Sequence, residues 1–188
     1  MGRGIGEGQA AARSRRAAAQ PIEIAAALKA RDDASVLRAL LKGEVKFIVV
    51  GGMALRSLGG TLATRDLDIT PARSSQNLKR LAEVLNTLGA QVRKKDAEYG
   101  EPTTWTVASL RGRKGVAMVT PKGILDLAIV PQGTTGYGDL IRRAETRSVA
   151  GMKVPVTSNP DLQRMKRARD LPRDREAVEQ LRRLEREQ

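Results

Sequence analysis

The strongest constraint on the fold lies in residues 45–70. An apolar run, VKFIVV (45–50), ends in Gly51–Gly52, and a second run, RDLDIT (65–70), carries two acidic side chains. The first run is rich in β-branched residues and predicts a buried strand. Side chains on a strand alternate with a period of two. Asp66 and Asp68 therefore share one side of the second strand, while Leu67 and Ile69 face a core. Like charges set this close repel, and one carboxylate tends to keep its proton unless a cation lies between them. A third acid, Asp126, interrupts another apolar run, GILDLAIV (123–130). An unpaired charge there is expensive, so Asp66, Asp68 and Asp126 form a candidate ligand set for a divalent cation.

What the chain lacks narrows the chemistry. Among its 188 residues there is no Cys and no His. Disulfides, thiol nucleophiles, Ser–His and Cys–His dyads and nearly every zinc site are thereby excluded. Carboxylate ligands alone suit hard divalent cations, Mg²⁺ or Mn²⁺. The Gly51–Gly52 turn precedes a short helix, MALRSLG, and bare backbone N–H groups there suit phosphates. Carboxylates that hold metal beside a turn that holds phosphates describe nucleotidyl transfer, with an NTP as substrate.

Charge suggests a partner. Lys and Arg number 34 against 21 Asp and Glu, a net charge of +13, which predicts a polyanion and in particular RNA. Aromatic residues make up only 2% of the chain, so the expected contacts are to phosphates or duplex shape rather than stacked bases. RKK (93–95), RGRK (111–114) and the segment 164–175 are the candidate contacts. No apolar stretch is long enough to span a bilayer, and Arg15 and Arg16 break the apolar segment a signal peptide needs. A cytoplasmic protein is expected. Residues 1–19 read as a disordered basic tail, and 20–188 as one domain closed by helices at about 158–188.

Local signals mix helix and strand without strict alternation, which predicts an α+β, or mixed α/β, fold. Pro21 to Lys42 reads as helical, with Pro21 in a first turn, Asp33 as a cap, a stripe of Val36, Leu37, Leu40 and Leu41, and Gly43 as the stop. Ser74 caps a helix with Leu78, Leu81, Leu85 and Leu88 on one face. Strands are expected at about 90–95, 103–110, 115–119 and 123–130. A helix follows from Gly138 to Thr146, then a hairpin in RSVAGMKVPVT. SNPDLQRMKRAR begins a helix with Pro160 in its first turn, and a charged helix follows Pro172.

LLKGEVKFIVVGGMALRSLGGTLATRDLDI resembles the signature of minimal nucleotidyltransferases, in particular the AbiEii-type toxins that include the MenT proteins. That signature reads strand, Gly-Gly or Gly-Ser, short helix, then Thr-x-Asp-x-Asp. GILDLAIV is similar to the family's later acidic strand, and VPVTSNPDLQRMKRARDLPRDREAVEQL to its closing segment; the resemblance spans roughly residues 35–184. It implies a polymerase-β-like nucleotidyltransferase fold, a small mixed sheet flanked by helices. It further implies a toxin that transfers NMP from an NTP to RNA such as a tRNA end, held in check by a cognate antitoxin. The acceptor is otherwise a partner protein or small molecule, or the domain binds nucleic acid without catalysis. By position, Asp66 and Asp68 are the metal ligands, Gly51 and Gly52 the phosphate turn, Lys166 the lysine that meets the nucleotide phosphates, and Asp174 the acid of the last motif. Leu171 stands where the family often has Arg, and Arg169 or Arg173 is the expected substitute.

Overall fold

A computed structural model describes residues 19–187; the tail expected at 1–19 lies, except for Ala19, outside the described residues. Seven strands form one mixed sheet: β1 (Phe47–Val50), β2 (Asp66–Pro71), β3 (Gln91–Val92), β4 (Val116–Thr120), β5 (Gly123–Leu127), β6 (Glu145–Val149) and β7 (Met152–Val156). Their order across the sheet is β3-β4-β5-β2-β1-β7-β6. β2 sits centrally, antiparallel to β1 and parallel to β5. Both faces of β1 are covered, so all four of its residues are buried.

Eight helices complete the described residues: α1 (Ile24–Lys29), α2 (Asp33–Lys42), α3 (Gly51–Ser57), α4 (Ser75–Thr87), α5 (Val107–Leu110), α6 (Tyr137–Leu140), α7 (Asn159–Arg169) and α8 (Pro172–Arg186). Leu67, Ile69, Leu125 and Leu127 share one core with Leu37 and Leu40 of α2 and Leu81 and Leu85 of α4. Each such side chain contributes about 1.5–3 kcal/mol by leaving water. A smaller cluster, Ala27 with Val119 and Ile124, seats α1 against β4 and β5. Among the described residues no helix is long and apolar enough to cross a membrane.

The expected mixed architecture is present, and several local readings need correction. Asp32, not Asp33, caps α2: its carboxylate accepts from the Ser35 N–H at 3.0 Å, while Asp33 pairs with Arg31. Pro21 precedes α1 rather than lying in its first turn. Leu41 is exposed, because the core needs only Val36, Leu37 and Leu40 from this helix. The strand expected at 103–110 is instead irregular chain followed by α5. Thr106 Oγ1 accepts from the Ser109 N–H and Ser109 Oγ from the Thr106 N–H, at 3.1 and 2.8 Å, a reciprocal cap that favours a helical turn over β propensity. Just before it, Trp105 is buried and its indole N–H donates to the Ala90 carbonyl at 2.7 Å. The helix expected at 138–146 shrinks to the single turn of α6, and residues from Glu145 pair as β6. Ser74 caps α4 as expected, and Pro160 lies in the first turn of α7.

Candidate active site

Register brings the three acids together. Asp68 lies opposite Asp126 on the parallel neighbour β5, and Asp66 lies one alternation away on the same face. Each of Asp66, Asp68 and Asp126 offers a carboxylate oxygen within 4.8 Å of the others. All three are half-buried. Burial, then the charges of Asp66 and Asp126, push the Asp68 carboxyl up to about 7, against the opposing pull of Lys166 and Arg169. Burial also raises Asp126, opposed by Arg93. A half-buried acidic cluster with only hard oxygen donors fits a Mg²⁺ or Mn²⁺ ion.

The chain around the acids is shaped to them. Gly51 adopts φ +65°, and a Cβ there would strike the Asp68 carboxylate; a Cβ on Gly52 would strike the Thr64 hydroxyl. The diglycine is therefore required by close packing, Gly51 against the acidic strand and Gly52 against the loop that leads into it. Thr64 Oγ1 donates to Asp66 Oδ1 at 2.8 Å and fixes that carboxylate. The loop carrying Thr64 is itself tethered. Arg31 donates to the Thr64 carbonyl, Arg173 to the Ala63 carbonyl, and the Thr61 N–H to Gln180 Oε1 at 2.9 Å.

A second group of residues comes from the corner between α7 and α8, where Asp170 takes the left-handed conformation (φ 50°) that turns the chain. Asp174, only 1% exposed, binds Lys166 at 3.0 Å and Arg169 at 2.6 Å. Its Oδ2 also reaches back toward the Leu171 N–H at 3.4 Å. Asp174 thus serves as helix cap and as counter-ion for two cations. Burial opposes its ionisation, but the hydrogen bonds and charges of Arg169 and Lys166 win, and its carboxyl falls to about 2. Lys166, Arg169 and Arg173 border the same cleft as Gly51, Asp66 and Asp68, a cavity of about 700 Å³.

The basic runs read as RNA contacts are largely occupied within the chain. Arg93 pairs with Asp126, Arg164 with Asp161 and Asp139, Arg169 with Asp174, and Arg175 with Asp170. Arg111 donates to Ser75 Oγ, and Arg113 to the Ser109 carbonyl. A count of charges does not register this pairing. Thr64 appeared in sequence only as the threonine of a motif, and Arg93 only as part of a basic run; neither carried a signal for its contact with an acid.

No protein-family model matches the chain, and no curated protein matches it. Solved structures do. The lincosamide antibiotic adenylyltransferase LnuA, bound to lincomycin, is 15% identical with a TM-score of 0.55, covering 79% of this chain and 92% of that one. ANT(2'')-Ia in complex with adenylyl-2''-tobramycin is 18% identical with a TM-score of 0.50, covering 79% and 84%. The solution structure of the antibiotic-resistance factor ANT(2'')-Ia is 16% identical, also at 0.50, covering 84% and 83%. The fold is that of a nucleotidyltransferase. Membership of the AbiEii-type toxins gains no support from a family match. The neighbours also overturn the expected partners, RNA such as tRNA and a cognate antitoxin: the acceptors their structures name are antibiotics, small molecules and not RNA.

Proposed function

We propose that this chain is a metal-dependent nucleotidyltransferase that transfers a nucleoside monophosphate from an NTP to a hydroxyl group of a small molecule. The observation that carries this reading is the convergence of three carboxylates within 4.8 Å in a cleft also bordered by Lys166, Arg169 and Arg173. The fold shared with nucleotidyltransferases that act on antibiotics supports it.

Asp66, Asp68 and Asp126 would hold Mg²⁺ or Mn²⁺, which when bound neutralises charge on phosphate and acceptor oxygens. Lys166 and Arg169, kept in place by Asp174, bind and orient the triphosphate, and Arg173 adds positive charge at the same wall. Gly51 and Gly52 let Asp68 and Thr64 pack against the start of α3, and both line the cleft in which the triphosphate would lie. Thr64 holds Asp66 in one rotamer. Asp126, opposite Asp68 across the β2–β5 pairing, would complete the ligand set.

The test is incubation with each NTP, Mg²⁺ or Mn²⁺, and a panel of hydroxylated small molecules including lincomycin and tobramycin, read by pyrophosphate release and by the mass of the acceptor. A gain of one NMP that Asp68→Ala abolishes is expected. Absence of any metal-dependent triphosphate binding refutes the reading.

A further inference from the structure

One row across the sheet carries more of the site than its acids. Asp68 on β2 lies opposite Asp126 on β5, Asp126 lies opposite Ala117 on β4, and the Arg93 N–H, just past β3, donates to the Ala117 carbonyl at 2.8 Å. Arg93, Ala117, Asp126 and Asp68 are therefore consecutive members of one cross-strand row. The Arg93 guanidinium crosses the small Ala117 and reaches Asp126. Its Nη2 lies 3.2 Å from Oδ1 and 2.9 Å from Oδ2. The Met118 N–H also donates to Oδ1, at 3.2 Å.

A carboxylate offers about four acceptor positions. Three of those on Asp126 are taken by these contacts. One position remains, on Oδ2, for a cation or an acceptor hydroxyl. The contact also costs Arg93 something. Its Nε is buried without an acceptor among the described residues, so the side chain is not placed to satisfy its own donors. Asp126 is what fixes it.

We infer that Arg93 is a positioning residue that holds Asp126 in the rotamer that completes the divalent-cation site with Asp66 and Asp68, and that Ala117 is small so that Arg93 can reach it. The inference rests on the metal-binding reading above. Outer contacts of this kind orient a ligand, and their loss weakens metal affinity by about 10–100-fold. Lysine keeps the charge but not the planar fork, so Arg93→Lys restores only part of the affinity.

The experiment measures Mn²⁺ alone, by the loss of its free-ion EPR signal on titration with the full chain, folding being checked by circular dichroism. Arg93→Met is expected to weaken binding by at least about tenfold, Arg93→Lys by less, and Ala117→Leu to mimic Arg93→Met with the arginine still present. Arg93→Met in an Asp126→Asn background is expected to add nothing. Unchanged or tighter Mn²⁺ binding by folded Arg93→Met overturns the inference, tighter binding marking Arg93 as a competitor of the metal. An equal loss in the Asp126→Asn background, or normal binding by Ala117→Leu, overturns it too. A wild-type chain that binds no Mn²⁺ overturns the metal-binding reading itself, and so separates the two failures.

Discussion

Replacing Asp174 by Asn isolates the counter-ion of the two cations beside the acidic cluster. Asp174 is 1% exposed and holds both Lys166 and Arg169, and its carboxyl lies at about 2 rather than 3.8. That displacement corresponds to about 2 kcal/mol of stability at neutral pH. Breaking a fully buried pair costs about 3–5 kcal/mol, but Arg169 is half exposed and water screens its share. A loss of about 2 kcal/mol, or about 4–8 °C in Tm for a chain of this size, is the expected outcome. The sign with pH follows from the depressed value. The contribution is complete above the unfolded carboxyl's range and fades as pH falls toward 2. Urea melts of wild type and Asp174→Asn should differ by a constant amount from pH 7 to about pH 5, and by about half as much near pH 3. Equal stability at pH 7 would refute the reasoning, as would a difference undiminished at pH 2.5. Displacement of a fluorescent ATP analogue should show weaker triphosphate binding by the variant, since Lys166 and Arg169 lose their shared anchor.

Three further outcomes follow from the same geometry. Asp68→Asn removes a charge that burial and its acidic neighbours disfavour. Its native carboxyl is raised to about 7, so the metal-free wild type loses stability as pH climbs from about 4 through 7, and thermal melts should show the variant increasingly favoured over that window and insensitive to Mn²⁺. Gly51→Ala forces a side chain into φ +65° and against Asp68, and should cost about 1–3 kcal/mol in urea melts while abolishing Mn²⁺ binding. Thr64→Val, which removes only the hydroxyl that holds Asp66, should cost about 1 kcal/mol or less and weaken Mn²⁺ binding several-fold by titration.

The acidic strand was legible because its evidence is local. Asp66 and Asp68 alternate with Leu67 and Ile69, and both leucine and isoleucine are fully buried. Asp126 was legible for the same reason, an acid inside an apolar run. What sequence could not show was register. Only the pairing of β2 with β5 sets Asp68 opposite Asp126, and only the row through Ala117 brings Arg93 to the cluster. Nothing within reach of Arg93 along the chain signals that contact. The RNA expectation rested on net charge, which says nothing of the acceptor; the acceptors named for the structural neighbours are small molecules. The segment around Trp105 misled because Thr and Val favour strands on average, while one reciprocal cap between Thr106 and Ser109 outweighs that average.

The tether between the Thr64 loop and α8 has a consequence for synthesis. Gln180 lies 119 residues beyond Thr61, and Arg173 lies 110 beyond Ala63. A ribosome therefore releases the acidic strand long before it makes the helix that steadies the loop beside it. During elongation the strands can pair, yet Asp66 waits for its neighbour to be pinned. Competence to bind the cation should thus arrive only once α8 has been made and has docked, as a step rather than a gradual rise.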